Sequence, residues 1–451
     1  MQEKRSSFTG GIGFILAAAG SAVGLGNLWR FPYLAAQYGG GIFILVYLIL
    51  AVTFGFSLLI LEIAIGRKTK QSSISAYKQL HKKFGFLGYL AAIVPIIILP
   101  YYSVIGGWVI KYVLVFFTGE GRNAAADGYF GNFIGSNASP MILFIIYLAV
   151  TVLVVGFGVE KGIERVSKVL MPVLLLITIG VSIYVITIPN SFEGIKYYLL
   201  PDFSKFSLKT ICAAMGQLFY SMSIAMGIMV SYGSYVKDDI DLNSSVNYIE
   251  IFDTAVALLS GFMIVPAVYV FSGEEGLATG GAGLMFKTLP KVFDSMPMGQ
   301  FIGAAFFVLV LLAALTSSIS LTEAIVSMFI DKFKITRKKA VVIVFVISLI
   351  LGVPSTLGYG VWSHITVLGM DFLTFFDYIS NSVLMPIVAI ATCILVGWFV
   401  GTKGIEDEIT RNGEPFKRRA IFRVMVKYIA PIFLFVILVF YSLAQFGFIT
   451  Y

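Results

Sequence analysis

The sequence predicts an all-α polytopic membrane protein, and three observations lead to this fold class. Of the 451 residues, 58% are hydrophobic and only 12% are charged. Apolar runs of about 20 residues recur along the chain, which is the length that an α-helix needs to cross a bilayer. Most lysines and arginines fall in alternate connecting segments, so the net charge of +8 follows from membrane orientation and predicts no nucleic-acid partner.

About eleven membrane-spanning helices are predicted, in a single domain that occupies residues 1–451. The predicted spans are residues 10–36, 40–66, 86–117, 141–158, 166–189, 208–234, 244–272, 298–330, 339–353, 373–400 and 424–447. Basic residues are enriched before the first span and after every second span. The positive-inside rule therefore puts the amino terminus in the cytoplasm and, with an odd number of spans, the carboxyl terminus outside.

The sequence lacks the motifs of common enzyme classes. No HExxH, CxxC, P-loop or GxSxG pattern occurs, and His81 and His364 are isolated. Cys212 and Cys393 fall in apolar segments, where small buried cysteines are commoner than a disulfide or metal pair. A membrane-embedded enzyme would need a nucleophile–base pair or a metal cluster, so we expect no catalytic residues.

Two apolar segments contain residues that a lipid-facing helix does not need. The first reads GSAVGLGNLWRF (20–31), and the sixth contains LFYSMSIAMG (218–227). Glycine in a helix interior costs roughly 0.5–1 kcal/mol relative to alanine. These segments begin two sets of five helices, about 10–189 and about 208–400. In inverted repeats of that kind, paired broken helices bind substrate and ions at the bilayer midplane.

Simpler interpretations exist for each segment taken alone. Gly20 and Gly24 fit a small-residue packing face, and Ser221 and Ser223 could bond back to their own helix. Neither interpretation explains both segments together with Asn27. Because unsatisfied backbone in lipid costs several kcal/mol, such breaks favour a cation on the free carbonyls and an anionic group on the free amides. A zwitterion with Na⁺ supplies both.

The stretch GSAVGLGNLWRFPYLAAQYGGGIF (20–43) resembles the neurotransmitter:sodium symporter family, and further matches extend the resemblance from about residue 5 to 447. The resemblance implies the LeuT fold, an inverted repeat of five plus five helices with broken helices 1 and 6 and an extra helix at about 424–447. The chain is similar to the eleven-helix prokaryotic branch of amino-acid transporters, which implies a location in the prokaryotic cytoplasmic (inner) membrane.

The same resemblance implies two sodium sites built from oxygen ligands, which suit a hard cation. The first would use Ala22, Asn27, Ser221 and Asp253. The second would use Gly20, Val23, Ala313, Thr316 and Ser317, although the last two hydroxyls could instead serve interhelical hydrogen bonds.

A substrate pocket is implied beside these sodium sites. It would be lined by Ala22, Leu25, Gly26, Ile98, Tyr102, Tyr220, Ser221, Ser223, Met226, Ser317 and Leu321. The substrate carboxylate would meet the Leu25 and Gly26 amides and the Tyr102 hydroxyl. The lining is mostly apolar, which favours a neutral, hydrophobic amino acid. Ala225 stands where relatives often have glycine, which leaves the pocket size open.

Two gates are implied above and below the pocket. Arg30 and Asp377 resemble the outer gate pair, while Arg5 and Asp331 resemble a cytoplasmic latch with Ser234 and Tyr235. Without the resemblance, both arginines could be ordinary snorkelling residues.

Three other positions resemble elements of the family near the inner half of the protein. Phe8 replaces the usual tryptophan of the amino-terminal plug, which predicts a weaker plug. Glu62 is expected to bind the free backbone of broken helix 6. The segment from Gly162 to Pro172 fits an element that unwinds to admit water, although a plain proline kink explains it nearly as well.

Asp253 departs from the asparagine that is usual in the family. Chloride-dependent members have a serine one helical turn later, where this sequence has Ala257. We expect the carboxylate to replace chloride, and its protonation after sodium release to couple a proton to return of the empty carrier. The resemblance thus implies a sodium-coupled symporter that imports neutral amino acids by alternating access, with a homodimer left open. A substrate-sensing receptor and a proton-coupled carrier remain as alternatives.

Overall fold

The computed structural model describes residues 7–278 and 280–448, which form helices joined by short connections. Among these residues, nine helices are long and apolar enough to cross a membrane, and a bent pair raises the number to ten. In chain order the spans are α1 (Gly11–Ala22 and Gly26–Gln37), α2 (Gly41–Thr69), α3 (Lys82–Phe117), α4 (Ala138–Gly156), α5 (Val159–Ile186), α6 (Leu208–Ser221 and Ile228–Gly233), α7 (Leu242–Leu277), α8 (Gly299–Phe333), α9 (Arg337–Leu357), α10 (Phe372–Val400) and α11 (Arg419–Gln445).

Helix α6 explains why the number of long helices falls below the eleven predicted spans. Its two pieces, of 14 and 6 residues, are each too short to cross a bilayer alone. Together they occupy the predicted span 208–234. Between them Ser223, Ala225 and Gly227 have φ of 54°, 63° and 70°. Left-handed backbone ends a right-handed helix, so this span is broken in its middle.

Helix α5 begins seven residues before the predicted start at 166. Gly158, with φ of 91°, separates it from α4, and the helix then runs through Gly162 and Pro172. A Cβ on Gly162 would collide with the Val154 carbonyl oxygen. This glycine therefore permits close approach of α4, and the segment is wound in this structure.

The broken helices lie among the most buried parts of the molecule. The first half of α1 packs against α5, α7 and α8, and the second half of α6 packs against α2 and α8. In α2 and α8, which pack against these halves, 67% of the most apolar stretch is buried, compared with 22% in α11. Helix α11 lies at the periphery against α10 and α6. The free backbone groups of the breaks therefore face protein, as a membrane interior requires.

Arg67 of α2 is fully buried and joins three segments at one end of the bundle. Its Nε donates to Glu408 Oε1 at 2.7 Å, and its Nη2 donates to the Glu408 carbonyl. Its Nη1 donates to the Ile240 carbonyl at 2.6 Å. Glu408 lies in the short helix Lys403–Ile409 between α10 and α11, so this arginine fastens that connection to α2.

We expect Arg67→Ala to lower the free energy of unfolding by about 3–5 kcal/mol, because the buried Glu408 carboxylate would lose its 2.7 Å partner and keep only the half-exposed Arg411 at 3.7 Å. Unfolding of the purified protein in detergent measures this change. The matched control is Lys196→Ala, which breaks an exposed 2.9 Å pair with Glu193 and should change stability by less than about 1 kcal/mol. Similar small effects of both variants would contradict the role given to Arg67.

Candidate functional site

The break in α1 lies between Ala22 and Gly26, where the two halves of the helix bend by 52°. Val23 is extended there, with φ of −75° and ψ of 102°. The Gly24 amide donates to Asn27 Oδ1 at 3.0 Å, and the Leu25 amide donates to the Tyr102 hydroxyl at 3.4 Å. The Gly26 carbonyl accepts from Gln217 Nε2 at 3.0 Å. Side chains from the second half of α1, from α3 and from α6 thus take over bonds that the helix no longer makes.

The three glycines of this stretch allow close approach of α6 and α8. A Cβ on Gly24 would lie 2.7 Å from Ser317 Oγ, and one on Gly26 would lie 2.9 Å from Tyr220 Cδ1. A Cβ on Gly20 would lie 3.3 Å from the Thr316 Cβ. The glycines lower the intrinsic stability of α1. This cost is offset because they bring the α1 backbone against Tyr220 of α6 and against Thr316 and Ser317 of α8.

The break in α6 is held by hydrogen bonds to the Glu62 side chain of α2 and to the backbone of α1. Glu62 Oε1 accepts from the Ala225 amide at 2.8 Å, which confirms the partner predicted for this buried acid. Ser223 Oγ donates to the Ser21 carbonyl at 3.0 Å. The two breaks therefore face each other directly.

Asp253 of α7 lies beside both breaks and is fully buried. Its carboxylate accepts from Ser221 Oγ at 2.7 Å, from Asn27 Nδ2 at 2.8 Å and from the Tyr47 hydroxyl at 3.3 Å. The ion pairs within residues 7–278 and 280–448 all involve other carboxylates. Three neutral donors thus surround a carboxylate that has no cationic side chain to balance it.

A second group of oxygens lies where the α1 break meets α8. Ser317 Oγ donates to the carbonyls of Ser21 at 3.2 Å and Val23 at 3.4 Å. Thr316 Oγ1 donates to the Ala313 carbonyl at 3.0 Å. These hydroxyl and carbonyl oxygens hydrogen-bond to one another in the structure. Oxygens of both kinds are also the ligands that a hard cation prefers.

A cavity of about 340 Å³ of empty volume opens between the two breaks. All eleven residues predicted to contact a substrate line it, together with Ser21, Gly24, Asn27 and Ile228. None of these lining residues carries a charged side chain. The arrangement therefore combines backbone polar groups with an otherwise neutral and largely apolar wall.

Sequence reasoning missed two residues of this region. Tyr47 lies in the apolar run GIFILVYLIL, where nothing distinguishes it from a core aromatic residue. Gln217 is a lone amide in an apolar segment, a signal that could have been noticed, and its Oε1 is buried without a partner in the described part of the chain.

The residues predicted to form the outer gate are close to the cavity, but they do not form an ion pair with each other. Arg30 Nη2 donates to the Tyr441 hydroxyl at 3.4 Å, and its guanidinium lies 5.7 Å from the centre of the Tyr220 ring. Asp377 Oδ1 instead accepts from the Tyr101 hydroxyl at 3.1 Å and from Asn381 Nδ2 at 2.6 Å. Each gate residue is thus held by neutral partners.

The segment before α1 packs against the second half of α6 and the residues that follow it. Phe8 is fully buried against the rings of Phe14, Tyr232 and Tyr235, and its amide donates to the Tyr235 carbonyl at 3.2 Å. Phe8 therefore fills this position, and the weaker plug predicted from its replacement of tryptophan stays a prediction.

The predicted cytoplasmic latch is described in part. Asp331 Oδ2 accepts from the Ser72 amide at 2.7 Å, and the Tyr235 hydroxyl donates to Glu323 Oε1 at 2.6 Å. Arg5, the predicted partner of Asp331, lies outside the described residues.

Comparisons with known proteins identify the family. A sequence model described as the Sodium:neurotransmitter symporter family matches residues 5–125 and 132–451. The chain belongs to this family. It is 34% identical to the "Uncharacterized sodium-dependent transporter YhdH" of Bacillus subtilis, over 98% of both chains. It is 31% identical to an "Uncharacterized sodium-dependent transporter" of Haemophilus influenzae, over 97% of this chain and 98% of that one.

Solved structures lead to the same conclusion about the fold. The crystal structure of MhsT in complex with L-phenylalanine matches 97% of this chain and 99% of that chain, with a TM-score of 0.87 and 35% identity. The all-α LeuT fold predicted from the sequence is thereby confirmed. The protein is a sodium-dependent symporter of the sodium:neurotransmitter symporter family and crosses the membrane several times.

The conformation of Ala225 yields a prediction about the α6 break. Its φ of 63° strains a residue that has a Cβ, so Ala225→Gly should raise the free energy of unfolding by about 0.5–1 kcal/mol. The control, Ala257→Gly in the buried interior of α7, should lower it by about 1 kcal/mol. Unfolding in detergent compares the two, and a change of the same sign in both would contradict the strain at Ala225.

Proposed function

We propose that this symporter imports neutral, hydrophobic amino acids together with sodium by alternating access. The observation that carries the proposal is the uncharged cavity between two helix breaks, adjoining a buried carboxylate that has no cationic side chain among the described residues. Backbone amides and carbonyls at the breaks are suited to the two charged ends of an amino acid. A sodium ion suits the carboxylate.

The amino acid would lie across the cavity with its carboxylate toward α1. The Leu25 and Gly26 amides and the Tyr102 hydroxyl would bind that carboxylate, and the 3.4 Å contact between Leu25 and Tyr102 supports their acting together. The ammonium would meet the carbonyls of Ala22, Tyr220 and Ser221 and the side chain of Ser223. In this arrangement the substrate satisfies backbone groups that the breaks leave free.

The substrate side chain would face the apolar part of the lining. Ile98, Met226 and Leu321 provide this surface, while Tyr220 and Ser317 complete it. A methionine adapts to side chains of different shape, so leucine, methionine and phenylalanine are suitable candidates. The complex of MhsT with L-phenylalanine supports an aromatic substrate.

Sodium would occupy two sites. At the first, the ion would bind Asp253, Asn27, Ser221 and the Ala22 carbonyl, with the substrate carboxylate as a further ligand. At the second, it would bind the carbonyls of Gly20, Val23 and Ala313 and the hydroxyls of Thr316 and Ser317. Because the first ion and the substrate share a contact, each would raise the affinity of the other by the same factor.

Transport would proceed without chloride, because Asp253 supplies a fixed negative charge beside the first sodium. Ala257, one turn further along α7, is buried and offers no hydrogen-bond donor to an anion. The rat taurine transporter, whose name states that it depends on sodium and chloride, is 27% identical over 92% of this chain. A chloride requirement is thus stated in the name of a relative less similar than the 31–34% identical transporters.

The gates would open in turn. Arg30 and Asp377 would close the outer side over the bound substrate. On the inner side, Phe8 and the latch of Arg5, Asp331 and Tyr235 would release. The amino terminus would lie in the cytoplasm of a prokaryotic cell and the carboxyl terminus outside.

Reconstitution in liposomes tests the proposal. We expect labelled phenylalanine or leucine to accumulate under a sodium gradient and not when potassium or choline replaces sodium, with equal uptake in chloride and gluconate. Sodium-dependent binding without accumulation would instead support a substrate-sensing receptor. Accumulation driven by a pH gradient in the absence of sodium would support a proton-coupled carrier.

Asp253→Asn should reduce sodium-dependent uptake about tenfold or more in chloride-free buffer, because the first sodium would lose its balancing charge. Adding Ala257→Ser to this variant should restore uptake in chloride but not in gluconate. The control is Glu193→Gln, which removes the charge of an exposed acid that pairs with Lys196 at 2.9 Å and should leave uptake unchanged. Chloride-insensitive uptake by Asp253→Asn at the parent rate would refute the role of Asp253.

A further inference from the structure

The peripheral helix α11 reaches the outer gate through one side chain. Tyr441 lies near the end of α11, and its hydroxyl accepts a hydrogen bond from Arg30 Nη2 at 3.4 Å. This contact joins residues 411 positions apart in the sequence. The helix that is least buried among the long apolar spans therefore contacts the cation of the gate.

Tyr441 also packs against the outer half of α6. A Cβ on Gly216 would collide with the Tyr441 hydroxyl, so the absence of a side chain at this position makes room for the phenol. Tyr441 thus touches the outer halves of both broken helices, α1 through Arg30 and α6 through Gly216.

Space beside this contact allows the arginine to move. Arg30 and Tyr441 line a cavity of about 690 Å³ of empty volume, with Tyr33, Gln37 and Tyr38 among its other lining residues. This cavity is separate from the one between the breaks, apart from the proximity of Arg30 to the Tyr220 ring.

Asp377 has its own partners in the same arrangement. The Tyr101 hydroxyl and the Asn381 amide donate to one oxygen of its carboxylate, and Arg30 makes no ion pair with it among the described residues. Both charges of the gate are therefore held by neutral groups.

We propose that Tyr441 is a positioning residue of the outer gate, which holds Arg30 in the open arrangement and yields it to Asp377 when the gate closes. The inference rests on the proposed function, since it takes Arg30 and Asp377 as the gate. The Tyr441 hydroxyl and the Asp377 carboxylate compete for the Arg30 guanidinium. Removing one acceptor shifts the equilibrium between the open and the closed gate by the difference between its interaction with Arg30 in the two states.

Cysteine alkylation from outside measures this equilibrium without a substrate. The reporter is Ile98→Cys, which lines the cavity between the breaks, in a chain where Cys212 and Cys393 are replaced by alanine. In sodium, Tyr441→Phe should slow alkylation by a membrane-impermeant thiosulfonate about fivefold, the factor that one ordinary hydrogen bond represents. Gly216→Ala, which displaces Tyr441, should slow it in the same direction.

Two further variants, Tyr428→Phe and Asp377→Asn, separate a role of Tyr441 in the gate from a general structural role. Tyr428→Phe removes a hydroxyl from an exposed tyrosine of the same helix and should leave the rate unchanged. Combined with Asp377→Asn, Tyr441→Phe should have no effect, because Arg30 then has no carboxylate to which it can move. An unchanged or faster rate with Tyr441→Phe alone, or an equal slowing in the Asp377→Asn background, would overturn the proposal.

Failure of the proposed function gives a different result. If phenylalanine and leucine are not taken up while Tyr441→Phe still slows alkylation in an Asp377-dependent manner, the substrate assignment fails and the gate assignment stands. If phenylalanine and leucine are taken up while Tyr441→Phe leaves the alkylation rate unchanged, the proposed function stands and only the role of Tyr441 is refuted.

Discussion

The buried carboxylate of Asp253 is the point at which the breaks of this transporter are joined. It accepts hydrogen bonds from Asn27 in the α1 break, from Ser221 at the start of the α6 break and from Tyr47 of α2. One acidic side chain thus fixes three helices at the same depth. A buried charge without a counterion is unfavourable, so the same arrangement that holds the helices together also attracts a cation.

The breaks themselves persist because several of the freed backbone groups have partners. Glu62 holds the Ala225 amide, Gln217 holds the Gly26 carbonyl, and Asn27 holds the Gly24 amide. Glycines let these partners come close, while left-handed residues end the first half of α6. The site is therefore formed by non-helical backbone that a few side-chain hydrogen bonds stabilise. Small changes in those hydrogen bonds would alter the shape of the site.

Much of this architecture can be predicted from the sequence, since span lengths follow from hydrophobic thickness and the family match identifies the breaks. The residues predicted around the cavity also lie together, because they sit on fixed positions of the two breaks and of α3 and α8. Other features could not be predicted. Tyr47 looks like a core aromatic residue, and the contact of Arg30 with Tyr441 joins opposite ends of the chain without any local signal.

The number of spans illustrates a different limit. Apolar composition alone indicates one continuous sixth span, while the predicted break within 218–227 is confirmed at Ser223, Ala225 and Gly227. Only one of these residues is glycine, so conformational preference alone would not have marked the break. The left-handed conformation of Ala225 is imposed by tertiary contacts, including its bond to Glu62.

A structure determined in saturating sodium with bound phenylalanine would test the central claim, that Asp253 holds a sodium ion next to the substrate. The account predicts an ion with oxygen ligands from Asp253, Asn27 and the substrate carboxylate at about 2.4 Å, a distance typical of a hard cation of this size. An empty position beside Asp253, with its bond to Asn27 Nδ2 unchanged and the substrate bound, would contradict it.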